Sequence, residues 1–169
     1  ASADNISYSF AVVGDNFTSA VAAGFDDHAS GSLVTTESQF PAGSVTKPYT
    51  AVAAMRLYDQ GLLDLELPVH RILDPWLRDQ HFPPLLALWK NDTTILNVTS
   101  RHLLGMQSGL ADYESSFLKN WTINHPDEDY APIDYIKSLD KTFLFQPGQG
   151  AAYTGDGYVL MGMVLAAVT

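Results

Sequence analysis

Ser44-Val45-Thr46-Lys47 sets a hydroxyl and an amine three residues apart. On a helix, side chains at that spacing lie one turn apart on one face, so the amine can reach the hydroxyl. A serine hydroxyl is a poor nucleophile until a neighbour takes its proton. A lysine can take it once burial or nearby positive charge pushes the amine's own pKa down. A serine at a helix start also has free backbone N–H groups aimed at any oxyanion that forms. The chemistry such a pair could serve is nucleophilic attack by the serine oxygen. The spacing is equally met by a helix N-cap serine beside a solvated lysine, so the surroundings decide. Only nine residues are Lys or Arg, and Lys47 stands at the start of an apolar helix behind Phe40-Pro41-Ala42-Gly43.

The elements that must position this pair can be read from periodicity and turn chemistry. Ser7 to Val13 and Ser19 to Phe25 are β-type runs around Gly14-Asp15-Asn16, which predicts a hairpin. Leu33 to Thr36 suggests a further short strand. Val45, Tyr49, Val52, Ala53 and Leu57 follow helical spacing up to a C-cap at Gly61. Pro48 is tolerated only in a first turn, so that helix must begin close to Ser44. The proline-punctuated stretch from Leu65 to Asp92 is expected to be a long irregular connection with short helical pieces. Thr99 can cap a short helix through Leu104, and Gln107 to Leu110 leaves it as a loop. Ala131 to Leu139 is a helix with Pro132 in its first turn. A last helix follows Gly155-Asp156-Gly157, with Tyr158, Val159, Gly162, Leu165 and Val168 as its expected apolar face.

The 169 residues are enough for a sizeable core, and a hydrophobic fraction of 46% is too high for a disordered chain. A net charge of -10 argues against nucleic acid as a partner, since nothing would neutralise phosphates. There is no cysteine, hence no disulfide and no thiolate chemistry. No apolar run approaches the ~20 residues a membrane span needs. His28, His70, His81, His102 and His125 show no paired ligand spacing, so neither a metal nor another cofactor is expected.

Five of six Asn open an Asn-x-Ser/Thr triplet: Asn5, Asn16, Asn91, Asn97 and Asn120. Chance would supply about one. The enrichment predicts N-glycosylation in a eukaryotic secretory pathway, with those Asn on the surface. Ala1-Ser2-Ala3-Asp4 looks like a mature end left by removal of a leader.

The segment Phe40 to Ala51 resembles the active-site segment of the serine β-lactamase and penicillin-binding protein superfamily, in particular its class C and esterase branch. Gly61-Leu62-Leu63-Asp64-Leu65 with Pro68-Val69 resembles that branch's continuation. Arg101-His102-Leu103-Leu104 followed by Ser108-Gly109-Leu110 resembles its leucine-pair helix and Ser-Gly-Leu loop. Phe145-Gln146-Pro147-Gly148, Tyr153 and Gly157 to Gly162 resemble its Pro-Gly turn, catalytic tyrosine and following helix. Four landmarks in order are far more specific than Ser-x-x-Lys alone.

The resemblance implies an α+β fold, an antiparallel sheet flanked by helices. It implies Ser44 as the acylated nucleophile, Lys47 as the group that shares its proton, and Tyr153 as the second general base or acid. The activity implied is that of a secreted serine hydrolase or acyltransferase acting on an ester, amide or peptide. The family's Tyr-x-Asn becomes Tyr153-Thr154-Gly155, with Asp156 next, so Gly155 and Asp156 are the candidate substrate contacts. Gly155 in place of Asn also motivates an alternative, a catalytically inactive binding or structural protein on the same scaffold. The family's Lys-Thr-Gly motif and C-terminal strands have no counterpart in these residues. Residues 1–169 are therefore expected to be the N-terminal part of one catalytic domain, cut from a precursor and completed by a second polypeptide, with a naturally short or partial chain as the alternative.

Overall fold

A computed structural model describes residues 6–112, 120, 121, 123–125 and 127–169. The chain divides into two compact units, one ending at Gly43 and one starting at Ser44. The fold is α+β with antiparallel strands.

In the first unit, β1 (Tyr8–Gly14) pairs antiparallel with β2 (Phe17–Ala23), from Tyr8 opposite Ala23 to Gly14 opposite Phe17. The expected hairpin is present with a two-residue turn, Asp15-Asn16. Its second strand stops at Ala23 rather than Phe25. Gly24 sits at φ +103°, and a Cβ there would lie 2.6 Å from the Ser7 Cα, so the chain breaks direction at the residue able to do it. A second short pair follows, β3 (Phe25–Asp27) with β4 (Ser32–Leu33). The strand expected over Leu33 to Thr36 thus lies earlier and is shorter.

The second unit is helical. A single 3-10 turn at Gly43–Val45 runs into α1 (Thr46–Asp59). Gly61 closes α1 as expected: its N–H donates to Tyr58 O at 2.9 Å and the Leu62 N–H to Leu57 O at 2.9 Å. Of the expected apolar face of α1, Leu57 packs against the core and the rest does not. Val45, Tyr49 and Val52 are more than half exposed, whereas Ala54 is fully buried and Lys47, Ala51 and Leu57 are half-buried. The inward face is rotated from the apolar stripe and carries Lys47.

The proline-rich stretch is more regular than expected. It contains α2 (Val69–Asp79) and α3 (Leu85–Leu88). Pro75 lies inside α2 and removes one helical hydrogen bond, at a cost of about 3 kcal/mol. Val69, Leu73 and Leu77, spaced four apart, are fully buried. Each such side chain contributes about 1.5–3 kcal/mol, which outweighs the proline. Asp74 Oδ1 accepts the first N–H of α3 from Leu85 at 2.8 Å and so ties the two helices together.

Thr99 caps α4 (Ser100–Leu104) as expected. Its hydroxyl accepts from the His102 N–H, and His102 Nδ1 accepts from the Thr99 N–H in return. The helix expected over Ala131 to Leu139 is α5 (Pro132–Ser138). The last, α6 (Gly155–Val168), begins at the glycine expected to precede it, because the Thr154 hydroxyl caps it by accepting the Gly157 N–H. Helices α1, α2, α4 and α5 all pack against α6. Its buried residues include Gly157, Leu160, Met161 and Val164, while Gly162 from the expected face is exposed. A helix apolar on nearly every side gives periodicity no single face to select.

The Ser-Gly-Leu loop is fixed by pairing with the chain that precedes the Pro-Gly turn. Leu110 bridges Phe143, and Leu144 N–H donates to Gly109 O at 2.7 Å. Gly109 has φ +78°, and a Cβ there would stand 2.0 Å from the Phe145 carbonyl oxygen. Only glycine allows that approach.

Candidate active site

The site is assembled by two segments of the helical unit. Ser44 lies in the 3-10 turn at the entrance to α1, and Lys47 in the helix's first turn. Val45, not Ser44, occupies the N-cap position, and no side chain caps the helix there. The reading of Ser44 as a mere N-cap therefore fails. Its hydroxyl is engaged by Lys47 Nζ, which donates to it at 3.1 Å, and by the Tyr153 hydroxyl. Lys47 Nζ also donates to Tyr153 Oη at 2.6 Å, closing a three-membered ring of contacts.

Tyr153 reaches this point from the loop between the Pro147-Gly148 turn and α6. The loop docks on the chain after α4: Gly148 N–H donates to Gln107 O at 2.9 Å, and Ala152 N–H to Met106 O at 3.0 Å. Met106 and Gln107 thus serve as backbone anchors. The Lys47 ammonium stands 4.7 Å from the Tyr153 ring centre and 5.7 Å from that of Tyr158. Tyr158 is fixed in turn by donating its hydroxyl to Leu104 O at 3.1 Å.

Electrostatics follow from this packing. The hydrogen bond from Lys47 holds the Tyr153 phenol below its ordinary range, the bond with Ser44 adds to that, and the Lys47 charge contributes further. A phenolate wedged between an ammonium and a hydroxyl can accept the hydroxyl's proton and later return it to a leaving group.

Asp156 lies elsewhere. It is 2% exposed, and its Oδ1 accepts the Tyr135 hydroxyl at 2.9 Å. Burial pushes its pKa up to about 6; Tyr135 and Lys141 oppose the rise, and Asp112 adds to it. Lys141 is also buried, donates to Ile136 O and lies 4.9 Å over the Trp89 ring. Desolvation brings its ammonium down to about 8. The carboxylate expected to meet substrate therefore faces the interior, because helical spacing turns position 156 away from position 153. Gly155 has no side chain to offer, and its N–H is already given to Asp112 Oδ1 at 2.6 Å.

A raised folded-state carboxyl pKa stabilises the fold below the unfolded value and is lost as pH rises through about 6. Asp156→Asn keeps the acceptor for Tyr135 and removes the desolvated charge. It is expected to match wild type in stability at pH 4 and to exceed it at pH 7.5 by on the order of 1–3 kcal/mol. Urea unfolding at the two pH values checks this; a variant weaker than wild type at pH 7.5 would mean that attraction to Lys141 outweighs desolvation.

Sequence reasoning passed over Asp112, Tyr135 and Lys141, and placed Tyr158 only on an apolar helix face. Only tertiary proximity marks them; the one local hint is that Asp112 closely follows the Ser-Gly-Leu loop. Among the described residues no three His, Asp or Glu gather so as to hold a metal ion, and no helix is long and apolar enough to cross a membrane. Of the five candidate glycosylation sites, Asn16, Asn91, Asn97 and Asn120 are exposed, and Asn5 lies outside the described residues.

A serine in the turn that enters α1, a lysine one turn on and a tyrosine hydrogen-bonded to both bring together the kinds of group that nucleophilic catalysis uses. A family model described as Beta-lactamase matches residues 2–169, and the chain belongs to that family. It is 32% identical over 130 residues to a penicillin-binding protein of Bacillus subtilis (strain 168), covering 77% of this chain and 25% of that protein. The structure of the D-amino acid amidase from Ochrobactrum anthropi SV3 complexed with L-phenylalanine aligns with a TM-score of 0.67 and 26% identity. That alignment covers 95% of this chain and 39% of the amidase. The octameric penicillin-binding protein homologue from Pyrococcus abyssi aligns with a TM-score of 0.69 and 25% identity, over 95% of this chain and 34% of the homologue. The chain thus spans a quarter of the length of that penicillin-binding protein.

Proposed function

We propose that this chain carries the nucleophile and proton-transfer groups of a serine hydrolase that cleaves an ester, amide or peptide through acyl-Ser44. The observation that carries the reading is the closed contact of Ser44, Lys47 and Tyr153. In acylation, Ser44 Oγ attacks the carbonyl carbon and its proton passes to Tyr153 Oη. The bond to the leaving group then breaks, and that group takes the proton back from Tyr153. Water attacks the acyl-serine carbonyl in the second half, with Tyr153 accepting its proton and returning it to Ser44 Oγ as that bond breaks, which releases the acid and restores both groups. An alcohol or amine in place of water would give transfer. The likeness to a D-amino acid amidase favours an amide among these substrates. The missing side chain at Gly155 favours a substrate whose recognition does not depend on an amide contact there.

A fluorophosphonate or β-lactam probe tests the reading. The expected result is one adduct, mapped to the peptide containing Ser44 and absent from Ser44→Ala. Intact protein that resists every such probe, or an adduct that survives Ser44→Ala, would sink it.

We also propose passage through a eukaryotic secretory pathway, supported by the five sequons and the exposure of four of their Asn. Enzymatic deglycosylation of the native protein is expected to lower the mass of sequon peptides, with Asn converted to Asp at the occupied sites. Unshifted peptides at all five positions would overturn this.

A further inference from the structure

Tyr153 must keep its hydroxyl in register with Ser44 although its side chain is 54% exposed. Its own packing does not do this; its backbone neighbours do. Ala152 N–H donates to Met106 O at 3.0 Å, the Thr154 hydroxyl to Ala111 O at 3.4 Å, and Gly155 N–H to Asp112 Oδ1 at 2.6 Å. All three acceptors lie in one stretch, Met106 to Asp112. The first two are backbone carbonyls, which any residue supplies. The third is a side chain, and only an acceptor of the right length reaches it.

Gly155 opens α6, so its N–H has no helical partner and needs an outside acceptor. An ionised carboxylate makes the stronger bond there and suits the positive end of the helix. The same charge stands near the reacting groups. Facing the Tyr153 phenol are Lys47 and Ser44 from the α1 segment and Asp112 from the loop. Lys47 and Ser44 lower its pKa, and Asp112 opposes them.

We infer that Asp112 is a positioning residue for Tyr153, fixing the start of α6 and so the register of the phenol against Ser44 and Lys47. The inference rests on the proposed acyl-Ser44 chemistry for its kinetic consequence, and on geometry alone for its structural one.

The experiment compares Asp112→Ala and Asp112→Asn in the intact protein by two readouts. One is the pH profile of Ser44 acylation by a fluorophosphonate. The other is titration of the Tyr153 ring by NMR with isotope-labelled tyrosine, assigned by its disappearance in Tyr153→Phe. Asp112→Ala loses both acceptor and charge, and acylation is expected to slow by on the order of 10–100-fold, the scale of a displaced catalytic group. Asp112→Asn keeps an acceptor at Oδ1, so most of the rate returns. Asp112→Asn loses only the negative charge, so Tyr153 ionises at lower pH and the acid limb moves with it; in Asp112→Ala the loosened Lys47 contact opposes that shift, so Tyr153 ionises at higher pH than in Asp112→Asn.

Rates and titrations that superpose on wild type in both variants would overturn the inference. So would a rate in Asp112→Ala that falls only in step with the folded fraction while Tyr153 titrates as it does in Asp112→Asn. If wild type forms no Ser44 adduct, the hydrolase reading fails by itself. The Tyr153 titration still decides the role of Asp112, coincident curves for the two variants counting against it.

Discussion

Lys47→Ala slows Ser44 acylation by about a thousandfold, within the range removed with a general acid or base. The size follows from the number of contacts one amine makes. Lys47 Nζ donates to Ser44 Oγ at 3.1 Å and to Tyr153 Oη at 2.6 Å. Truncation leaves the hydroxyl without its organising cation and the phenol without the bond that most lowers its pKa. The sign on pH follows. With the cation gone, the Tyr153 phenol returns toward its ordinary value near ~10. The phenolate then forms only at more alkaline pH, and the rising limb of the rate moves upward. Lys47→Arg is not expected to rescue, since a planar guanidinium cannot replace a point charge donating to two oxygens on different segments. Stopped-flow labelling with a chromogenic ester across pH measures both effects. A rate within tenfold of wild type, with its limb in place, would show that Lys47 is not part of the proton path.

How much of this was legible in advance depends on where the information sits. Ser44 and Lys47 are three residues apart, so their meeting is local and any helix produces it. Thr99 and Gly61 were equally legible, because caps act through the nearest backbone groups. Tyr153 is more than a hundred residues from Ser44, and its chemistry was visible only through an ordered set of landmarks, never through periodicity. The buried faces of α1 and α6 were misread for opposite reasons. Apart from Leu57, the apolar stripe on α1 is exposed while the face bearing Lys47 is packed, and α6 is apolar nearly all round. Helix α2 was missed because Pro75 dominates its local signal, although three fully buried side chains outweigh one lost hydrogen bond. Asp156 was assigned to substrate by its closeness in sequence to Tyr153. The helix that begins at Gly155 turns it instead onto Tyr135.

Tyr153→Phe separates proton transfer from every other role the residue could have. The substitution removes one oxygen and leaves the ring, which is more than half exposed, so it opens no cavity and should leave the melting temperature within a degree or two of wild type. The contact from Lys47 Nζ to Ser44 Oγ survives, so the nucleophile keeps one activating neighbour. With an activated ester, whose leaving group departs without a proton, the loss in kcat is expected to be about tenfold. With an amide, whose nitrogen must be protonated to leave, it should approach 10³–10⁴-fold, the upper part of the range for general acid–base catalysis. The acid limb that follows Tyr153 ionisation should vanish with both substrates, because the group that titrates is gone. Since Lys47 holds that phenol below its ordinary range, the wild-type limb lies below that of a free tyrosine. Equal losses on ester and amide would assign Tyr153 to binding or orientation. A limb that persists in Tyr153→Phe would assign the titration to another group. A loss far larger on the amide than on the ester, with the limb abolished on both, fits a phenol that carries the proton from Ser44 to the departing nitrogen.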